Sequence, residues 1–125
     1  MEKVNYIISD KKTCFINEKS IAYCGVSYLY IIEINNLYIN QKIKIQNDKL
    51  ISICLFSKNI LFVGGINAKI YQFEIEEKNL NLRDEFNLNF KRFKEISSIV
   101  KLDENSFAFG CCAYDLYFMK KKIED

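Results

Sequence analysis

Three stretches of this 125-residue chain align with one another without a gap. They start at Lys11, Ile51 and Ser97, and they read KKTCFINEKSIAYC, ISICLFSKNILFVG and SSIVKLDENSFAFG. In each copy a short polar triplet (NEK, SKN or DEN) separates two apolar runs. Polar triplets between such runs are typical of the turns that join antiparallel strands. The chain is therefore restricted to folds that use one β-hairpin unit several times.

The agreement between the copies extends beyond these hairpins. The segments LYIIEI, IYQFEI and LYFMKK follow the three stretches, and the copies are offset by 40 residues (Cys24 to Gly64) and 46 residues (Gly64 to Gly110). No useful length of the chain has the apolar period of a helix. The sequence thus predicts an all-β fold of antiparallel four-stranded repeats. The expected hairpin turns lie near Glu18, Lys58 and Glu104.

We predict a single domain over residues 1–125, with copies at approximately 11–50, 51–96 and 97–120. The segment KVNYII within residues 1–10 alternates apolar and polar side chains and predicts a further strand. The aligned columns of the three copies are Cys14, Cys54 and Val100; Ile16, Phe56 and Leu102; Ile21, Leu61 and Phe107; and Tyr23, Val63 and Phe109.

Glycines recur at one place in the repeat, between the second and third predicted strands. They occur as Cys24-Gly25, Gly64-Gly65 and Gly110-Cys111. A phosphate-binding loop would need a helix after the glycines and a Lys-Ser or Lys-Thr pair. A strand pattern follows here instead, so we interpret these glycines as hairpin positions.

Four short strands in a unit of 40 to 46 residues match the content and period of a β-propeller blade. From about Lys11 to Lys120 the chain resembles the WD-repeat family on this pattern, although it lacks that family's Gly-His and Trp-Asp dipeptides. The resemblance implies an incomplete propeller, because closed propellers have roughly four to eight blades. It also implies that residues 1–10 complete a blade. The alternative fold is a small β-barrel or a sandwich.

In the family that the chain resembles, partners bind to the loops between second and third strands and to the connectors between blades. The residues that this implies for partner binding are Tyr28, Asn67, Lys69, Arg92, Tyr114 and Asp115. Tyrosine and arginine are enriched at interaction hot spots, which favours Tyr28, Arg92 and Tyr114.

A blade packed between two neighbours buries both faces of its strands. We therefore expect Phe56, Leu61 and Val63 to be buried, and Lys58 and Asn59, in a turn, to be exposed.

The residue types that are missing limit the chemistry. The chain contains no histidine, so it cannot build a Ser-His-Asp triad, a Cys-His dyad or a histidine-ligated metal site from its own residues. Its five cysteines include no C-x-x-C pair. Cys14 and Cys54 share a column with Val100, which indicates small core side chains. We expect no catalytic residue, no metal and no cofactor.

Charge and hydropathy limit the partners and the location. The 18 basic and 16 acidic residues give a net charge of +2, spread along the chain, unlike the basic field of a nucleic-acid binder. The KRFK segment from Lys91 to Lys94 is too short to change this expectation. No apolar run is long enough to span a bilayer, and no signal-peptide core occurs near Met1. These features predict a reducing, cytoplasmic location.

Two functions remain open on the sequence. The first is a non-catalytic protein–protein interaction scaffold that acts within a larger complex. The second is a ligand-binding or enzymatic propeller fragment that uses carboxylates, tyrosines or a cysteine. The lack of histidine and of a paired catalytic motif favours the first. The expected partners are other proteins, a second copy of the chain, or flanking repeats that complete the propeller.

Overall fold

The computed structural model describes residues 12–25, 28–88, 95–111 and 116–120. Strands and turns make up this part of the chain, and no helix occurs in it. The strands are β1 (Thr13–Phe15), β2 (Ser20–Cys24), β3 (Tyr28–Glu33), β4 (Ile39–Lys44), β5 (Leu50–Ser57), β6 (Ile60–Gly65), β7 (Lys69–Glu76), β8 (Asn79–Asn87), β9 (Ile96–Asp103), β10 (Ser106–Cys111) and β11 (Leu116–Lys120). The predicted all-β fold class is confirmed.

The strands form three antiparallel meanders, in which each strand pairs with the next strand of the chain. Sheet 1 contains β1 to β4, sheet 2 contains β5 to β8, and sheet 3 contains β9 to β11. Segments that include Glu18, Lys58 and Glu104 join the first strand of each sheet to the second, as predicted. Sheets 1 and 2 are complete four-stranded antiparallel units.

The three sheets share one pairing register. In the first hairpin of each sheet the equivalent opposed pairs are Thr13–Tyr23, Ile53–Val63 and Ile99–Phe109. Between the second and third strands they are Tyr23–Tyr30, Val63–Tyr71 and Phe109–Tyr117. Residues in one column of the sequence alignment therefore occupy equivalent positions in the three sheets.

Sheet 2 lies between sheets 1 and 3. Strand β5 contacts β1 and β2 on one side and β9 on the other. Leu61 and Val63 belong to a hydrophobic cluster shared with sheet 1, whereas Phe62 belongs to a second cluster shared with sheet 3. Successive residues of a strand point to opposite faces of a sheet. Strand β6 is therefore apolar at every position because both of its faces are covered.

The burial predicted for sheet 2 is confirmed. Leu61 and Val63 have no exposed surface, and Phe56 is 3% exposed. Lys58 and Asn59, in the turn between β5 and β6, are exposed. The turn lies beyond the area that the neighbouring sheets cover, so its polar side chains reach solvent.

Three phenylalanines join sheet 2 to sheet 3. The rings of Phe62 and Phe107 stack with their centroids 4.4 Å apart. Phe56 approaches Phe107 edge-on, at 6.2 Å. Aromatic pairs in these geometries contribute about 0.5–1.5 kcal/mol beyond the burial of their area. The cluster therefore fixes the relative position of the two sheets as well as burying apolar surface.

Polar side chains also connect the sheets, near their first and last strands. The buried Ser52 hydroxyl donates a hydrogen bond to the carbonyl of Ile96, at 2.5 Å, which links β5 to the start of β9. The Gln41 side chain donates to the carbonyl of Leu80 (3.0 Å) and accepts from its backbone N–H (2.7 Å). Each bond satisfies a polar group that sheet packing would otherwise leave unpaired.

The role of Gly64 differs from the one that its sequence position suggests. It lies inside β6 rather than in the following bend, and it does not have a positive φ. A Cβ atom at this position would overlap the side chains of Ser52 and Ile96. Glycine is needed here because sheet 3 approaches the backbone of β6 closely, and hairpin geometry is not the reason.

Leu61→Ala should lower the free energy of unfolding by about 2–5 kcal/mol, because the truncation leaves a cavity between sheets 1 and 2. The matched control is Leu82→Ala in β8, where the leucine is 43% exposed and the expected loss is below about 1 kcal/mol. Urea unfolding followed by circular dichroism measures both. Equal losses in the two variants would contradict the sheet-to-sheet packing described here.

Candidate functional site

Three of the six predicted partner-binding residues lie at one end of the sheet stack. Tyr28 is the first residue of β3, Lys69 is the first residue of β7, and Asn67 lies in the bend between β6 and β7. We call this end the loop end and define it by the connector 45–49 and the bend 66–68. The other three predicted residues, Arg92, Tyr114 and Asp115, lie outside the described residues.

Asn67 and Lys69 both have partners within the chain. The exposed Asn67 side chain donates a hydrogen bond to the carbonyl of Asn47, at 2.5 Å. The ammonium of Lys69 lies 3.8 Å from the carboxylate of Glu85 on the adjacent strand β8. A partly exposed ion pair of this kind contributes little stability. Lys69 could exchange Glu85 for a partner's carboxylate at small cost, whereas Asn67 helps to hold the loop end together.

Asp48 organises the loop end, and the sequence analysis gave it no role. Its carboxylate accepts hydrogen bonds from the backbone N–H groups of Lys49 (2.8 Å) and Ile66 (2.9 Å) and from the hydroxyl of Tyr71. Burial, together with the hydrogen bond to Asp48, raises the pKa of the Tyr71 hydroxyl well above its usual range. Asp48 therefore connects the segment between sheets 1 and 2 to the bend 66–68.

Tyr28 belongs to an aromatic group on the outward face of sheet 1. Its ring centroid lies 5.9 Å from that of Tyr30, which in turn lies 6.2 Å from that of Tyr23. The Lys42 ammonium lies 5.0 Å from the centroid of Tyr28 and 6.0 Å from that of Tyr30. Phe15 lies on the same face and is 64% exposed. Amphipathic rings grouped in this way suit a contact with another protein.

The outward face of sheet 3 is also apolar. Val100 is 57% exposed and Leu102 is 51% exposed. The equivalent residues in sheet 2 are Cys54 and Phe56, which pack into the cluster between sheets 2 and 3. Within the described part of the chain, no sheet covers this face of sheet 3. The same columns are therefore buried inside the stack and exposed at its end.

A cleft of about 600 Å³ lies at the opposite end of the stack, among the turns between first and second strands. The Asn17 side chain donates to the carbonyl of Glu77, at 3.1 Å, and so bridges sheets 1 and 2 beside it. The charged residues that line the cleft are Glu18, Lys58, Glu77 and Lys101. Two acids and two bases give it no charge preference, and its apolar floor belongs to the two hydrophobic clusters. It is a surface recess between sheets and not an enclosed ligand site.

Burial keeps the side chains of Cys14 and Cys54 as protonated thiols. Burial raises the pKa of the Cys14 thiol to about 12, and the neighbouring Cys54 adds to the rise. Burial also raises the pKa of Cys54, against the opposing effect of Lys101. A thiol acts as a nucleophile only as its thiolate. At neutral pH these two cysteines are therefore packing residues, in agreement with the core role that their column indicates.

In the described ranges, no three histidine, cysteine, aspartate or glutamate side chains are grouped as metal ligands would be. No helix in the same ranges is long and apolar enough to cross a membrane.

Comparison with known proteins adds no assignment. The chain matches no family model, and no curated protein matches its sequence.

Cys14 should react slowly with a maleimide at pH 8 in the folded protein, because a thiol with a pKa of about 12 is almost entirely protonated there. Mass spectrometry of labelled peptides measures the rate, with urea-unfolded protein as the reference. The folded pKa lies above the unfolded one, so the contribution of Cys14 to stability is complete below about pH 9 and is lost as the pH rises towards 12. Rapid labelling of folded protein at pH 8 would contradict the packing role.

Asp48→Ala should destabilise the fold by about 1–3 kcal/mol, because the hydroxyl of the buried Tyr71 loses its acceptor. The control is Asp84→Ala, since Asp84 is exposed and accepts a hydrogen bond (2.8 Å) from the backbone N–H of its neighbour Glu85. Thermal unfolding measures both variants. A loss for Asp48→Ala no larger than for Asp84→Ala would show that Asp48 does not organise the loop end.

Proposed function

We propose that this chain is a non-catalytic protein–protein interaction scaffold made of WD-repeat-like propeller blades, and that it acts within a larger complex. The observation that carries the proposal is the pair of apolar faces at the two ends of the sheet stack. Phe15 on sheet 1 and Val100 and Leu102 on sheet 3 are large apolar side chains with more than half of their surface exposed. Apolar side chains grouped on one face of a sheet mark a binding surface.

One column of the repeat shows how unusual this exposure is. Ile16 and Phe56 are each 3% exposed, because each lies on a sheet that another sheet covers. Leu102 holds the same position in sheet 3 and is 51% exposed. The exposed position carries an apolar side chain like those of its buried equivalents. A partner that covers this face best explains that choice of residue.

The arrangement of the three sheets supports the propeller interpretation. Each sheet is a meander, and the first strands lie side by side, with β5 in contact with both β1 and β9. A propeller likewise arranges four-stranded sheets side by side around a central channel. The described sheets form an open stack, and a closed ring needs at least about four blades. Additional blades or a partner must therefore supply the rest of any ring.

The loop end offers a second surface for a partner. Tyr28 and Lys69 occupy equivalent positions there, and the ammonium of Lys69 lies 3.8 Å from the carboxylate of Glu85. Arg92, Tyr114 and Asp115 belong to the same proposal by their sequence positions. We give no weight to an enzymatic function, since the chain lacks histidine and the thiols of Cys14 and Cys54 are protonated at neutral pH.

The test compares tagged wild-type chain with the double variant Val100→Asp/Leu102→Asp in extracts of the source cells. We expect the double variant to recover at least about 90% less of each stoichiometric protein partner than wild type does. The reason is that a partner covering sheet 3 would have to bury two unpaired carboxylates. The control is Leu82→Asp, which places a charge at an exposed leucine away from this face. Recovery of the same partners by all three proteins, or of none by wild type, would overturn the proposal.

A further inference from the structure

We infer that a second copy of this chain covers the outward faces, so that two chains pack head to tail into one ring of six sheets. The inference rests on the proposed function and names its partner. We call the outward face of sheet 1, with Phe15, Ile21 and Tyr23, the start face. The outward face of sheet 3, with Val100 and Leu102, is the end face.

Each interface inside the stack joins one face of the start type to one face of the end type. Sheet 2 presents Leu61, from the column of Ile21 on the start face, to the cluster shared with sheet 1. Sheet 3 presents Phe107, from the same column, to the cluster shared with sheet 2. Within the described residues this interface therefore occurs twice, and one face of each type has no covering sheet. A second copy supplies the complement of both.

The equivalence of the sheets predicts a specific contact between the copies. Phe15 shares a column with Leu55 and Lys101, and Leu102 shares a column with Ile16 and Phe56. The Lys101 ammonium lies 5.4 Å from the centroid of the Phe56 ring. Leu55 packs against the cluster that contains Ile16. In both internal interfaces these two columns therefore meet, so Phe15 of one copy should pack against Leu102 of the other.

Side-chain size also fits this pairing. Ala22 and Leu61 both belong to the cluster between sheets 1 and 2. The same two columns hold the stacked rings of Phe62 and Phe107 between sheets 2 and 3, so either two rings or an alanine and an aliphatic side chain fill this position. The corresponding residues on the outward faces are Ala108 and Ile21, which repeat the combination of alanine with a branched aliphatic residue. Small residues opposite large ones allow sheets to interdigitate at native packing density.

Two copies would also close the assembly. The start face of each copy would meet the end face of the other, which gives two identical interfaces related by a two-fold axis. Six sheets lie within the range of roughly four to eight blades in closed propellers. Head-to-head pairing of two start faces would instead leave both end faces exposed.

The experiment measures the mass of the purified chain by size-exclusion chromatography with light scattering. We expect wild type to have twice the chain mass of 14.8 kDa. Phe15→Lys alone and Leu102→Glu alone should each give monomers, since each places a charge in both interfaces of its dimer. Leu82→Glu should remain dimeric, because Leu82 lies outside the two faces.

Mixing the two monomeric variants provides the decisive measurement. A head-to-tail pair of Phe15→Lys with Leu102→Glu has one Lys–Glu interface and one wild-type interface, so the mixture should recover the dimer. Circular dichroism checks that each variant folds. If a charged variant does not fold, Phe15→Ser and Leu102→Ser replace the two, each with an expected loss of at least about tenfold in dimer affinity.

Three results would overturn the inference: a wild-type monomer at about 100 µM, dimers of both charged variants, or a mixture that stays monomeric. Failure of the inference is distinguishable from failure of the proposed function. If wild type is monomeric but Val100→Asp/Leu102→Asp still loses its cellular partners, a different protein covers the end face and the proposed function stands. If wild type neither dimerises nor retains partners, both are wrong.

Discussion

The packing of sheet 2 between sheets 1 and 3 is the constraint on which the rest of the structure depends. Leu61 and Phe62 are adjacent in the chain, and they are fully buried in different hydrophobic clusters. A strand with apolar side chains on both faces of its sheet is stable only when another sheet covers each face. Exposed apolar surface costs about 25 cal/mol per Å². The middle sheet therefore requires both neighbours, and the stack is the smallest unit in which the repeat can bury one complete sheet.

Where two sheets pack closely, buried backbone groups need hydrogen-bond partners and some positions have room only for a small residue. Ser52, Gly64 and Asp48 fill these roles. Ser52 satisfies the carbonyl of Ile96, while Gly64 leaves the space that this approach requires. Asp48 satisfies backbone donors at the loop end and holds the hydroxyl of Tyr71. These contacts hold the connector 45–49 against the bend 66–68 and the core residue Tyr71.

The exposed fractions within one column show that residue type alone does not decide whether a position is buried or exposed. Phe56 is buried and Leu102 is half exposed, although both occupy the same position in equivalent sheets. What differs is the presence of a covering sheet. The sequence predicted partner binding at loop residues such as Asn67, whose amide is bonded to Asn47 within the chain. The outward sheet faces were harder to recognise from the sequence, because their apolar residues have the same pattern as the buried residues of the other copies.

The sequence by itself determined the strands, the turns near Glu18, Lys58 and Glu104, and the equivalence of the three copies. It could do so because strand period and turn chemistry are local properties, and a repeat shows them three times. Only the tertiary structure decided which faces are covered, why residue 64 must be glycine, and that Asp48 accepts a hydrogen bond from the Tyr71 hydroxyl. These features depend on contacts between residues that are distant in the chain, and no local pattern records which surfaces will meet.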